Sequence, residues 1–550
     1  MRLLVPVLVA TLGLQAQVPR LTEVQERRLA NGARLLLVER PGLAAFHAAL
    51  VFRGGRAEEP ASAAGATDLL ARVLYGSTWP EDLEPPRAPN GLDALLKQEE
   101  GLLESIRLER LSQRRAPALA SQLPALQASL ASLQARLRGL FSPSPLADLY
   151  TALGGSQGAE ATADALVAWT ELPREAFGFW CRTEAQRLRQ VQLSRFSQAR
   201  ARLATGLRTQ GLDLLRGAAL PGHPYGRDLA DHRPALEALR WSDLRTYARH
   251  TLRPDRLTII LVGGLSLESA LPLLERHLGA LAVPADAEEA VLPEIPADLG
   301  DRRVQAALGG GPYLLTGWRI PPRNHPDHLA LRMAAQLLGG GKAARLQTRL
   351  IQQRGLAREA DLQLDVPGSH LPGLLCIGLQ PADGRSLAEL EAGLHGEILR
   401  LQQEPIPQEE WVRALAQLEG EYLQTLDEPA ALASALGAAW AEGGDWRLLD
   451  LEMQRLRSLA PETVQSAARA WLKPSHRTTA RLEPAPTDGA DPIEAATARI
   501  LNALAATRIQ DPAQREHLVA EGLRQLRMLS PEERSRTLKL LEGQIPPVHP

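Results

Sequence analysis

Two stretches far apart in the chain carry the same succession of elements. Phe46 to Phe52 is an apolar, strand-like run, and a helical stretch follows it to about residue 75. Pro312 to Ile320 is a second strand-like run, followed by a helix from Pro326 to Leu338 and the turn Gly339-Gly-Gly-Lys342. A repeated strand-then-helix order in a chain of 550 residues points to two related halves. The echo lies in element type more than in residue identity.

Punctuation places the boundaries. Residues 21–283 form the first unit. Leu35 to Val38 and Phe46 to Phe52 are its early strands, set off by Asn31-Gly32 and Pro41-Gly42. Leu257 to Gly264 is a buried strand closed by glycines, with an amphipathic helix from Leu267 to Leu278. Residues 284–300 are rich in Pro, Ala and acidic residues and read as a linker. Residues 301–485 form the second unit, and 486–550 a helical tail whose helices begin near Asp511-Pro512 and Ser530-Pro531. Within the first unit, 91–141 is a helical insertion. Leu119, Leu123, Leu126, Leu130, Leu133, Leu137 and Leu140 alternate steps of four and three, a heptad seam. With the Leu-rich run before it, this predicts an antiparallel hairpin that turns at Pro117, with Pro124 opening the second helix. The hairpin packs on itself or serves as a coiled-coil docking arm.

Composition excludes some functions. The net charge of −2 argues against nucleic acid as the main partner. Nearly all the basic residues are Arg, with lysines only at 97, 342, 473 and 539. Residues 1–16 combine Met1-Arg2, an apolar run from Leu3 to Leu14 and a small residue at Ala16, the pattern of a secretory signal peptide. A frayed apolar tail is the alternative. No later segment has the uninterrupted apolar length of a transmembrane helix. The expected location is exported, periplasmic or extracellular. Cys181 and Cys376 lie in different halves and are expected as two separate buried thiols. The Gly339–Lys342 run lacks phosphate-loop spacing, since Ala343 follows the lysine. His325-Pro-Asp-His328 reads as a solvated loop.

Residues 65–78, Gly-Ala-Thr-Asp-Leu-Leu-Ala-Arg-Val-Leu-Tyr-Gly-Ser-Thr, resemble the zinc-binding helix of the M16 (pitrilysin/insulinase-type, processing-peptidase-like) metallopeptidases. That family has G-L-A-H-L-L-E-H-M-L-F-K-G-T there. Further resemblances follow in order along the chain. They are Leu153-Gly-Gly-Ser-Gln-Gly-Ala-Glu-Ala-Thr162 with Asp164 and Leu172-Pro173, His223-Pro-Tyr-Gly226, Tyr247 to Gly264, and Leu338 to Leu356. Together they cover most of residues 21–480 and imply an α+β fold of two M16-type half-shell domains, each a mixed sheet packed with helices.

The resemblance also exposes losses. In H-x-x-E-H the two His, four apart, share one helical face and a zinc ion, and the Glu serves as general base. Here those positions are Asp68, Ala71 and Arg72. The third-ligand position falls at or next to Thr205–Gly206, with no Asp or Glu between Gln198 and Gln210. The family's substrate-holding Arg and Tyr correspond to Ile351 and Arg358. No catalytic residue and no zinc are therefore expected. Ala159, Glu160, Ala161 and Thr162 match the edge strand on which the family adds peptide substrate as an extra strand. The implied role is a non-catalytic, peptide-binding or structural subunit, paired as a heterodimer with an active M16 peptidase chain. A free-standing exported scaffold is the alternative, and a zinc metalloendopeptidase or other hydrolase using an unrecognised site is a second.

Overall fold

The computed structural model describes residues 23–74, 92–115, 122–140, 145–189, 191, 196–284, 292, 300–308 and 311–484, with short stretches after 496 that include a helix at Pro531–Glu542. The signal-peptide stretch, Pro117, Asp511-Pro512 and most of the connecting segment 284–300 lie outside the described residues.

The first half runs β1 (Val24–Arg28), β2 (Arg34–Glu39), β3 (Ala45–Arg53), α1 (Ala66–Leu74), α2 (Leu92–Arg115), α3 (Leu123–Leu140), α4 (Pro145–Ala152), β4 (Ser156–Ala161) and β5 (Ala165–Pro173). It continues with α5 (Phe177–Arg189), α6 (Phe196–Gly206), α7 (Gly211–Ala219), α8 (Arg233–Ala238), α9 (Trp241–Thr251), β6 (Leu257–Gly263) and α10 (Leu267–His277). The second half runs β7 (Arg302–Leu308), β8 (Tyr313–Ile320), α11 (His328–Gly339), a π-helical stretch Leu346–Gln353, β9 (Ala357–Val366) and β10 (Gly373–Pro381). Helices α12 (Leu387–Gln403), α13 (Gln408–Asp427), α14 (Pro429–Gly443), α15 (Leu448–Ser458) and α16 (Pro461–Trp471) lead to β11 (Arg477–Pro484).

The echo in the sequence is an echo in topology. The first sheet has the order β1-β2-β6-β3-β5-β4 and the second β7-β11-β8-β10-β9. In each, one parallel pair (β2 with β6, β7 with β11) is followed by antiparallel neighbours. The last strand of the first half thus returns to the middle of its sheet, as does that of the second. The fold is α+β with two related sheets.

Strand patterning decides which face meets which core. On β3, Phe46, Ala48, Leu50 and Phe52 share one face and pack with α1, α5 and α9. The opposite face, Ala49 and Val51 with Leu36, Val38, Ile260 and Val262, joins the core of the second half through Leu432, Ala433 and Leu436 of α14. Gly437 permits that approach, since a Cβ there would stand 3.0 Å from the Val51 side chain. The exchange is reciprocal. Helix α7 of the first half lays Leu215 and Ala219 on Leu315, Leu374, Ala480 and Leu482 of the second sheet. Each sheet is covered on one face by a helix from the other half.

A buried polar junction completes this contact. The Asp164 carboxylate is 4% exposed. It accepts from the Tyr225 hydroxyl and from the backbone N–H of Ser369 (2.9 Å) and His370 (3.2 Å). The Tyr225 oxygen accepts in turn from Leu371 N–H at 3.2 Å. Ser369 donates to Glu442, which also binds Arg323 at 2.9 Å. Burial pushes the Tyr225 hydroxyl above its ordinary value, and the neighbouring Asp164 charge adds to this, so Tyr225 stays a neutral donor. Just before it, His223 Nδ1 accepts the Tyr225 N–H at 3.2 Å, which requires an unprotonated nitrogen.

The insertion is an antiparallel pair. Glu99 meets Gln134 at 2.9 Å and Glu109 meets the Gln122 N–H at 3.0 Å. Leu133 and Leu137 enter the first-half core, and Glu100 accepts from Ser242 at 2.7 Å, so the hairpin is docked on its own body. Cys181 and Cys376 are buried free thiols, and burial pushes Cys376 up to about 12. One expectation needs correcting. His328 is not solvated; it is 4% exposed at the start of α11, with Nε2 2.7 Å from Asp365. A neighbouring strand end supplies a carboxylate that local sequence does not reveal.

Two outcomes are expected. Asp164→Ala strands three donors and should cost about 3 kcal/mol or more in urea unfolding, while Tyr225→Phe should cost about 1–2 kcal/mol. Burial, helped by the nearby Arg227 charge, holds His223 down to about 4 from 6.5. The unfolded chain therefore binds the proton first, so stability from neutral His223 is present above pH 6.5 and lost as pH falls through about 4. Melting temperatures across that range should fall less steeply in His223→Asn than in the wild type.

Candidate functional site: a helix beside an open sheet edge

Helix α1 begins where Gly65 takes φ +88°, a conformation that favours glycine. Its N-terminus is capped from the preceding loop. The Glu59 carboxylate accepts the Gly65 N–H at 2.8 Å and the Thr67 N–H at 2.7 Å. Burial raises the Glu59 carboxyl above its ordinary value, although the hydrogen bonds from Thr67 and Gly65 favour its charged form. Arg227 donates to the Glu59 carbonyl at 3.0 Å, and the Thr67 and Tyr247 hydroxyls meet at 2.7 Å. The helix start is thus held on several sides.

The apolar residues Leu69, Leu70, Val73 and Leu74 turn inward, and Ala71 is 6% exposed among them. Asp68 and Arg72, four apart, share the outer face. Asp68 is committed. Arg56 grips it bidentately, Nε to Oδ2 and Nη2 to Oδ1, both at 2.7 Å. Arg72 is exposed and has no ion-pair partner among the described residues. The partner of Asp68 is therefore Arg56, not the neighbouring Arg72.

Around this pair lies a small cavity of about 40 Å³, lined by Arg56, Glu59, Asp68, Arg216, Tyr225 and Arg227 among others. Its cations are matched by carboxylates: Arg216 bonds Asp213, and Arg227 stands 3.9 Å from Glu59. Helix α6 packs against α1, as a third-ligand helix would. Its C-terminal Thr205 and Gly206 are exposed, with no carboxylate beside them in sequence. Among the described residues, no group of three or more His, Cys, Asp or Glu is arranged to hold a metal ion.

The second-half positions diverge from one another. Ile351 lies in the π-helical stretch, partly buried against the main core. Arg358 is exposed on β9. An isoleucine side chain offers no hydrogen bond to an oxyanion.

Among the described residues, β4 is the outer strand of the first sheet, paired only with β5, and α1 packs beside it. Ala159, Glu160 and Ala161 lie in the strand, whereas Thr162 falls in the turn after it. The Thr162 N–H donates to the Ala165 carbonyl at 2.8 Å. Because ladder bonds alternate in an antiparallel pair, Gly158 and Glu160 turn their N–H groups toward β5. Ala159 and Ala161 then turn theirs to the open edge. Gln157 is held by Arg187 at 3.3 Å, itself in a buried pair with Glu184. Arg56, Glu59 and Arg187 were missed by sequence reading. The acidic and basic residues crowded into Arg56–Glu59, just before α1, were the available signal for the first two.

Residues 240–418 match the family described as "Peptidase M16 inactive domain". A zinc protease of Mycobacterium leprae is 22% identical over 272 residues, which is 47% of this chain and 58% of that protein. The chain spans just over half the length of the curated relatives it matches. Among solved structures, a protease from Helicobacter pylori superposes with TM-score 0.67 at 15% identity, covering 84% of this chain and 100% of that one. The first half of the periplasmic protease PqqL from Escherichia coli gives TM-score 0.61 at 13% identity, covering 92% and 98%. No helix among the described residues is long and apolar enough to cross a membrane. In its two related sheets and its motif order the chain is similar to the M16 peptidases, and its residues 240–418 match that family's inactive domain.

Proposed function

We propose that this chain is a non-catalytic M16 subunit that binds extended peptide and works beside an active, zinc-bearing M16 chain. The observation that carries the reading is the bidentate Arg56–Asp68 ion pair. Of the three positions that bind zinc and activate water in the family, one is a carboxylate already bound at both oxygens. The second, Ala71, has no basic atom, and the third, Arg72, carries a permanent positive charge. With Thr205–Gly206 in place of a third ligand, the residues present do not fit zinc, which needs several N, S or O donors. The likeness of the first half of a periplasmic protease supports an exported location, and the docking of the α2–α3 hairpin on its own body favours this reading over a free-standing coiled-coil scaffold.

What remains useful is the open edge of β4. A peptide laid along it would satisfy the outward backbone groups of Ala159 and Ala161, with main-chain bonds giving affinity. An active partner chain would perform the hydrolysis.

Protein purified from its own cell should contain well under one zinc per chain and co-purify with a chain bearing H-x-x-E-H. One bound zinc per isolated chain, with chelator-sensitive peptide cleavage, would overturn the reading. A persistent lone monomer would remove the partner. For the edge, Ala159→Pro deletes an outward N–H while sparing the β5 ladder. Peptide binding by fluorescence anisotropy should drop at least about tenfold for a lost strand register, with circular dichroism unchanged. Unaltered binding would place the peptide elsewhere.

A further inference from the structure

Helix α1, which carries Arg72, packs beside the outer strand β4, and Arg72 is exposed with no ion-pair partner among the described residues. The Arg56 N–H donates to the Thr162 carbonyl at 3.0 Å, just past the end of β4, and the Arg56 side chain holds Asp68. Asp68 is thereby anchored at that end of the strand, and Arg72 stands one helical turn, about 5–6 Å, further along the same face of α1. Of the charges on that face, Asp68 is paired with Arg56, and Arg72 has no ion-pair partner among the described residues. The strand turns Gln157, Ala159 and Ala161 toward the core that contains α1. The Gln157 side-chain carbonyl is held by Arg187 at 3.3 Å, and the two alanines offer the guanidinium only methyl groups. Its own acidic residue, Glu160, points to the opposite face of the sheet.

We propose that the β4 edge selects extended peptides carrying a carboxylate where they cross α1, with Arg72 as its partner. This rests on the reading of β4 as a peptide-binding edge and adds the chemical class of peptide. A strand added to β4 directs alternate side chains toward α1. A planar guanidinium there receives a carboxylate through two parallel N–H bonds and leaves an amide poorly matched. Arg72 then discriminates among ligands, in place of a residue that would serve chemistry. The carboxylate has two sources, an Asp or Glu side chain or a free C-terminus, and the two present the same pair of oxygens.

Short fluorescein-labelled peptides test this by anisotropy at low salt, with one Glu moved along an Ala/Thr/Val sequence, the matching Gln peptides, and each with a free-acid or amidated C-terminus. At one register the amidated Glu peptide should bind about fivefold more tightly than its Gln counterpart, an advantage that high salt reduces. If the C-terminus is the group recognised, the advantage follows free acid over amide at a fixed length. Either preference should vanish in Arg72→Ala and turn to favour a Lys peptide in Arg72→Glu. Arg72 is exposed, so both variants should keep the wild-type circular dichroism and melting temperature. Equal binding of every peptide to wild type and Arg72→Glu would overturn the charge preference and leave the edge reading standing. Failure of all peptides to bind, or full binding to Ala159→Pro, would overturn the edge reading and this proposal with it.

Discussion

A single buried carboxylate sets how the two halves meet. Asp164 sits in the turn between β4 and β5, and its oxygens are filled by one hydroxyl from its own half and two backbone N–H groups from the other. Backbone donors cannot be supplied in another register without moving the whole 368–371 loop. The close fit of Gly368 against Asp164 leaves no room for a side chain there. The apolar contacts of α7 and α14 supply area but little direction. The polar junction supplies direction, and it fixes the turn from which the edge strand β4 departs.

The same economy appears at the site. Removing a metal from a fold leaves a hole in its charge balance, because ligands and cation compensate one another. Here the charged groups around the cavity are paired among themselves: Asp68 with Arg56, Glu59 with backbone N–H groups and Arg227, Arg216 with Asp213. The cavity they line is about 40 Å³. With these groups committed to one another, restoring a single ligand would leave the rest of the arrangement unchanged.

Much of this was legible in the sequence, and the reasons are local. Strands β3 and β8 announce themselves as short apolar runs, and the four-residue step from Asp68 to Arg72 fixes a shared helical face whatever surrounds it. The leucine seam from 123 to 137 led directly to a docked helical pair. Partners were not legible. Arg56 lies 12 residues before Asp68 across a loop, and Ser369 lies 205 residues after Asp164. Long-range pairing leaves no periodicity in either segment. His328 failed for the same reason: a proline-led stretch reads as loop, yet Asp365 arrives from β9 and buries it. Thr162 missed the strand by one position, because its hydroxyl bonds the Ala165 carbonyl and turns the chain early.

The reciprocal cover of α7 and α14 bears on how such a chain can change over evolutionary time. Each half finishes the other, so neither is a module that could be lost, shuffled or replaced alone. A cut in the segment joining them would release two ends but leave the bodies clasped, and a substitution in β6 or β11 is felt first by a helix from across the divide. Such a pair drifts as one unit. Exposed positions can change one after another while the clasp keeps its shape intact.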